Sequence, residues 1–141
     1  MATPETVRVL IVEDETDVAR LMASVLEDEG YEVMTYDSGD CFAAVASFNP
    51  HVILCDYMLP VYDGGTVARR LRAGIAPHVP LIMVSAVGPA CARWREWGAD
   101  DFLSKPFDID RLIAVVHRAA GADGKLWSRA GKAAHSDDRA S

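Results

Sequence analysis

Glu13-Asp14, Asp56, Ser85 and Lys105 each stand at or close behind the end of a short apolar run. The runs are Val9-Leu10-Ile11-Val12, Val52-Ile53-Leu54-Cys55, Leu81-Ile82-Met83-Val84 and, ahead of the lysine, Asp101-Phe102-Leu103. If they are strands of an open parallel sheet, their carboxyl ends line one crevice, where such sheets bind ligands. That crevice then gathers three carboxylates, a hydroxyl and an ammonium. Carboxylates so close repel strongly unless a hard cation lies among them. The ammonium and the hydroxyl opposite suit an anion. Metal and anion with an aspartate between them describe a phosphoryl-transfer site, with Asp56 as the nucleophile.

The elements that must position these groups alternate strand and helix five times, the pattern of an α/β fold with a parallel sheet. Strands are predicted at Arg8–Val12, Glu32–Tyr36, Val52–Cys55, from Leu81 after Pro80, and at Asp101–Ser104. Val52–Cys55 is apolar on both faces, as a central strand covered by helices on each side requires. Val18, Leu21, Met22, Val25 and Leu26 form one apolar stripe at helical spacing, and Gly30 supplies a left-handed stop. Ser38 is the predicted cap of a second helix, with Phe42, Val45 and Phe48 inward and Asn49-Pro50 as its end. A third helix near Thr66–Ala73 follows a loop containing Pro60 and Gly64-Gly65. Pro89 suits the first turn of a fourth helix and Gly98 its end. Asp108 caps a fifth, whose inward stripe is Ile109, Leu112, Ile113 and Val116, closed by Gly121.

A chain of 141 residues suits one domain with a short extension. The domain is placed at 1–121; residues 122–141 are read as a flexible tail or the start of a linker. Their Gly, Ala, Ser, Lys, Arg and Asp leave only Leu126 and Trp127 as anchors, too few for a second core. No apolar run is long enough for a membrane-spanning helix, and the first residues lack the pattern of a secretory signal. The net charge of −7 argues against a nucleic-acid surface on this domain. Three cysteines without a CxxC pair suggest neither a disulfide framework nor zinc, and fit a reducing cytoplasm. His51, His78, His117 and His135 show no ligand-like spacing.

The segments Val12-Glu13-Asp14-Glu15, Asp56-Tyr57-Met58-Leu59-Pro60, Asp63-Gly64, Ser85-Ala86, Gly98-Ala99-Asp100-Asp101-Phe102 and Lys105-Pro106-Phe107 resemble those of two-component response-regulator receiver domains. The match runs in order and in register from Val7 to Ala120. The resemblance implies a flavodoxin-like, doubly wound sheet of five strands in the order 2-1-3-4-5, flanked by five helices. It implies that Asp56 takes a phosphoryl group from a histidine of a sensor histidine kinase or phosphotransfer protein, giving an acyl phosphate. Glu13 and Asp14 resemble the family's acidic pair, which holds Mg²⁺. Asp14, Asp56 and the carbonyl of Met58 would be direct ligands, with Glu13 acting through water, as an ion that keeps several waters allows. The bland alternative for Glu13, Asp14 and Glu15 is a negative start to helix one, and capping and metal binding are compatible.

By the same resemblance, Lys105 reaches a phosphoryl oxygen as a compact charge, with a cis bond to Pro106. Ser85 offers its hydroxyl to the same group, and the small Ala86 leaves it reachable. Phe102 matches the aromatic switch residue. When phosphorylated Asp56 draws Ser85 inward, the ring turns into the vacated space, and a ring without a hydroxyl favours burial. Met58 and Val87 occupy positions that tune attack by water. Both are apolar here, so slow self-dephosphorylation is expected. The output surface would be helix four, strand five and helix five, acting on a downstream effector or a C-terminal output domain outside this chain. A homodimer through that surface stays open.

Trp97 departs from the family pattern, which has a small residue before Gly98-Ala99. Trp94 lies one turn earlier. Exposed, the two would anchor a partner; buried, they would fill space under helix four. At least one is expected on the signalling surface. Among rivals, a phosphatase of the haloacid-dehalogenase type also uses a strand-end aspartate with Mg²⁺, but needs a second acid where Met58 stands. Neither GxGxxG after strand one nor GxxxxGK[ST] is present. Self-phosphorylation with Mg²⁺ and slow loss of the phosphoryl group are the only chemistry expected, not turnover of a separate substrate. The surviving alternative is a docking module with a receiver fold that works without phosphorylation.

Overall fold

The computed structural model describes residues 6–86 and 90–122. Strands β1 (Arg8–Val12), β2 (Glu32–Tyr36), β3 (Val52–Asp56), β4 (Leu81–Ser85) and β5 (Asp101–Ser104) pair in parallel in the order β2-β1-β3-β4-β5. This is the doubly wound, flavodoxin-like sheet that the alternating pattern requires. The register sets Val12 against Cys55, Asp56 against Val84 and Ser85 against Ser104, so the carboxyl ends of the inner strands finish level.

Alternate residues of each strand face opposite layers. Val9, Ile11, Val52, Leu54, Ile82, Val84 and Leu103 pack under α1 (Thr16–Asp28) and α5 (Ile109–Ala122). Leu10, Val12, Ile53, Cys55, Leu81 and Met83 pack under α2 (Phe42–Phe48) and α3 (Gly64–Arg70), together with Trp97. Every residue of β3 and β4 is buried. Truncating Leu54 to alanine therefore costs about 2–5 kcal/mol, because the covered sheet cannot collapse into the cavity.

Helix boundaries follow the local chemistry. Gly30, at φ +98°, ends α1, while Tyr31 N–H donates to Leu26 O at 3.2 Å and satisfies an orphan carbonyl. Asn49, also left-handed at φ 55°, ends α2. Asp108 caps α5 through Oδ1 accepting from Arg111 N–H at 2.9 Å. Ser38 does not cap α2: its hydroxyl bonds Asp40, and the helix starts after Cys41. Leu21 and Ile109 lie on the outer edges of their stripes and are exposed. Gly121 does not close α5, which includes it and reaches Ala122.

Past Arg70 the third helix widens into a π-turn, Leu71–Ile75, with Ala76 N–H donating to Leu71 O at 3.0 Å. The fourth helix is shorter than predicted: α4 is Ala90–Arg93. The residues that follow keep winding through tighter bonds, Glu96 N–H to Arg93 O and Gly98 N–H to Arg95 O, until Gly98 at φ +95° turns the chain. The guanidinium of Arg72 ties these connections together. Its Nε donates to Gly98 O at 2.7 Å, its Nη1 to Val79 O at 2.6 Å and Ala76 O at 3.1 Å, and its Nη2 to Asp100 Oδ2 at 2.6 Å. Among the described residues no helix is long and apolar enough to cross a membrane. The expectations for Val87, Pro89, Leu126 and Trp127 lie outside the described residues.

Candidate functional site

The sequence-predicted groups converge at the carboxyl ends of the strands. Glu13 follows β1 directly, its N–H donating to Tyr36 O at 2.9 Å, which extends the ladder to β2 by one residue. Glu13 Oε2 accepts from Glu15 N–H at 3.1 Å, which folds the acidic stretch back over the strand end. Asp56 is the last residue of β3 and is buried, as is Glu13, whereas Asp14 is exposed. One carboxylate oxygen from each of the three lies within 4.8 Å of the others. Lys105 is set by its N–H donating to Ser85 O at 2.9 Å, one step beyond the β4–β5 ladder. From there its Nζ donates to Glu13 Oε1 at 3.0 Å and to Asp56 Oδ2 at 3.1 Å. The Lys105-Pro106 bond is cis, as the resemblance implies. Ser85 is buried at the end of β4. Met58, two residues past Asp56, turns its side chain to solvent with 71 % of it exposed.

Burial pushes the Glu13 carboxyl above its ordinary range, and the charge of Asp56 adds to the rise, against the pull of Glu15 N–H and Lys105. Burial by itself would lower the Lys105 ammonium. The hydrogen bond to Glu13 and the attraction and hydrogen bond of Asp56 outweigh it and hold Lys105 above 10.5. One ammonium among three carboxylates leaves the cluster anionic. An all-oxygen, anionic, partly exposed set is the donor chemistry a hard divalent cation requires, so these residues fit Mg²⁺.

The loop between β3 and α3 shows what the sequence reading missed. Gly64 N–H donates to Tyr57 O at 2.8 Å, and a Cβ on Gly64 would meet Asp56 O at 2.5 Å and Tyr57 Cα at 2.7 Å. Only glycine permits α3 to start so close behind the aspartate, and the Gly64-Gly65 pair was the available signal. Asp63 Oδ1 accepts from Thr66 N–H at 2.8 Å as the cap. Val61 adopts φ +75°, uncommon for a β-branched residue, in a γ-turn closed by Tyr62 N–H to Pro60 O at 2.9 Å.

Neither Trp94 nor Trp97 is exposed, against the expectation that at least one would be. Trp97 is buried, stacked on Tyr57 with ring centroids 5.2 Å apart and planes at 10°. Trp94 is half-buried and stacks on the half-buried ring of Phe102, with centroids 6.3 Å apart. Trp97 packs inward, against the glycine-lined start of α3.

Residues 9–117 match the response regulator receiver domain model. The chain is 40 % identical over 123 residues to the transcriptional regulatory protein TcrA of Mycobacterium tuberculosis, covering 85 % of this chain and 48 % of that protein. It is 36 % identical over 113 residues to the DNA-binding dual master transcriptional regulator RpaA of Synechocystis, covering 77 % and 47 %. It thus spans about half the length of the curated relatives it matches. A solved putative response regulator from Chloroflexus aurantiacus superposes with a TM-score of 0.77 at 32 % identity, over 83 % of this chain and 99 % of that one. The receiver domain of NtrX from Brucella abortus gives 0.73 at 34 %, over 80 % and 98 %. Fold and site thus define a phosphoacceptor module of the signalling type. The chain belongs to the response regulator receiver domain family. Its Glu13, Asp14, Asp56 and Lys105 cluster matches the phosphoacceptor and Mg²⁺ site of that family, consistent with two-component signalling.

Proposed function

We propose that Asp56 is the phosphoacceptor of a cytoplasmic two-component pathway, taking its phosphoryl group from a sensor histidine kinase or a histidine phosphotransfer protein. The supporting observation is the single ammonium of Lys105 bridging Asp56 and Glu13 inside an anionic, metal-competent cluster. Glu13, Asp14, Asp56 and the carbonyl of Met58 would hold Mg²⁺, which supplies charge neutralisation on the transferring group when bound. Asp56 attacks phosphorus, the bond to the donor's imidazole nitrogen breaks, and the imidazole leaves with its electron pair. Lys105 then exchanges a carboxylate partner for a phosphoryl oxygen, and Ser85 donates its hydroxyl to another. Phe102, already half-buried, turns further inward behind Ser85. The changed face of α4, β5 and α5 acts on a downstream effector or output domain, or on a second copy of the chain. The same reading takes 1–121 as the receiver and 122–141 as tail or linker. Apolar side chains at Met58 and Val87 leave water without an orienting group, so the acyl phosphate is long-lived.

Incubation with Mg²⁺ and acetyl phosphate tests this reading. A mass gain that disappears in Asp56→Asn supports it. An unchanged mass in the wild type supports the phosphorylation-independent docking module instead.

A further inference from the structure

We infer that Trp97 is a positioning residue for phosphoryl transfer to Asp56, acting through Tyr57; this rests on the reading of Asp56 as the acceptor. Tyr57 directly follows Asp56 and is pinned on both sides of its backbone. Its N–H donates to Val84 O at 2.9 Å, and its carbonyl accepts from Gly64 N–H at 2.8 Å. The Tyr57 ring is therefore a lever attached rigidly to the acceptor. Trp97 lies nearly parallel to that ring, 5.2 Å away between centroids. The same indole covers Gly65, where a Cβ would come within 2.9 Å of Cδ2 and 3.0 Å of Cε2. One side chain thus touches both ends of the segment from Met58 to Asp63: Tyr57 before it and Gly65 after it. That segment carries the Met58 carbonyl and the strained turn at Val61.

The clamp has a firm base. The carbonyl of the next residue, Gly98, accepts from Arg72 Nε at 2.7 Å, and the Arg93 guanidinium lies 5.7 Å from the Trp97 ring centroid. Anchored beside Gly98 in the same layer as α3, the indole fixes the tilt of the segment that presents Asp56. Small displacements of a reacting group cost rate steeply. Because coupling is reciprocal, whatever reorders the segment on phosphorylation also changes the surroundings of Trp97.

The test uses the full chain with Mg²⁺ and acetyl phosphate, and reads both the phosphorylation rate and the melting temperature. Trp97→Leu keeps apolar bulk but loses the stack, and it should slow phosphorylation about tenfold. Trp97→Phe, which keeps a ring against Tyr57, should recover most of that loss. Tyr57→Leu removes the other half of the stack from a half-buried position and decides the matter if Trp97→Leu does not fold. In a protein with Trp97 as its sole tryptophan (W94F, W127F), Mg²⁺ with beryllofluoride, a phosphoryl mimic, should change the emission, and adding Tyr57→Leu should abolish the change. A Trp97 that only fills space would lower the melting temperature and leave rate and emission alone. Folded Trp97→Leu or Tyr57→Leu protein phosphorylated at the wild-type rate overturns the inference while Asp56 stands. A wild type that takes up no phosphoryl group overturns the reading beneath it.

Discussion

The ammonium of Lys105 lies 3.1 Å from Asp56 Oδ2 across 49 residues of sequence, and the same nitrogen holds Glu13 at 3.0 Å. It is the counter-charge of a cluster that is otherwise wholly anionic. Two opposed effects follow from removing it. In Lys105→Met the transferring group loses a charged donor, so phosphorylation from acetyl phosphate should slow about 100-fold, as for loss of one preorganised donor. The cluster also becomes more negative, so Mg²⁺ should bind more tightly than to wild type. Calorimetric titration measures the second effect, and weaker binding would contradict the electrostatic account.

The same lysine gives a pH signature. Its folded pKa lies above its unfolded value of 10.5, so its stabilisation is complete below that pH and is lost as pH rises through the folded value. The gap in melting temperature between wild type and Lys105→Met should be flat from neutral pH to the onset of lysine titration and narrow beyond it. A gap that widens with pH would show that Lys105 is not paired with Glu13 and Asp56.

Metal linkage is measurable by melting alone. An ion that binds only the folded state stabilises it by about 2.7 kcal/mol at a hundred times its dissociation constant. Millimolar Mg²⁺ should therefore raise the wild-type melting temperature. Asp14→Asn, at the exposed member of the carboxylate set, should lose most of the response. An unshifted wild type would count against the metal assignment.

Gly65 and Trp97 should be thermodynamically coupled. A methyl on Gly65 gains helix propensity worth about 0.5–1 kcal/mol. It also drives into the indole at 2.9 Å, and overpacking of a filled core costs about 1–3 kcal/mol. The clash should win, making Gly65→Ala destabilising. In a Trp97→Leu background the same change should be neutral or favourable. Urea unfolding of the four proteins yields the coupling, and strict additivity would show that the two do not share that space.

The sheet and the acid–lysine cluster were legible because both depend on features a linear chain displays. Short apolar runs such as Val52–Cys55, bounded by turn residues and alternating with helical stripes, fit covered strands, and polar residues at their ends share a crevice by the topology of parallel sheets. Less of the surroundings could be read. Spacing puts Trp94 and Trp97 on one helical face, and both rings do pack against the same core cluster, but it does not tell that Trp97 sinks into the gap left by Gly65. A cavity made by a missing side chain has no sequence pattern of its own. Leu21 and Ile109 fit their apolar stripes by period, yet their exposure is decided by how far the neighbouring layer extends. The positive φ at Val61 was hidden because valine gives no warning of a left-handed turn.

The Arg72 guanidinium fastens the lead-in to β4, the turn before β5 and the exit of the third helix to one planar group, at the amino ends of the strands. Shifting any one of these connections breaks hydrogen bonds shared with the others, so the base of the sheet resists displacement as a unit, whereas the opposite rim, which carries Glu13, Asp14, Asp56 and Lys105, is not tied by that group.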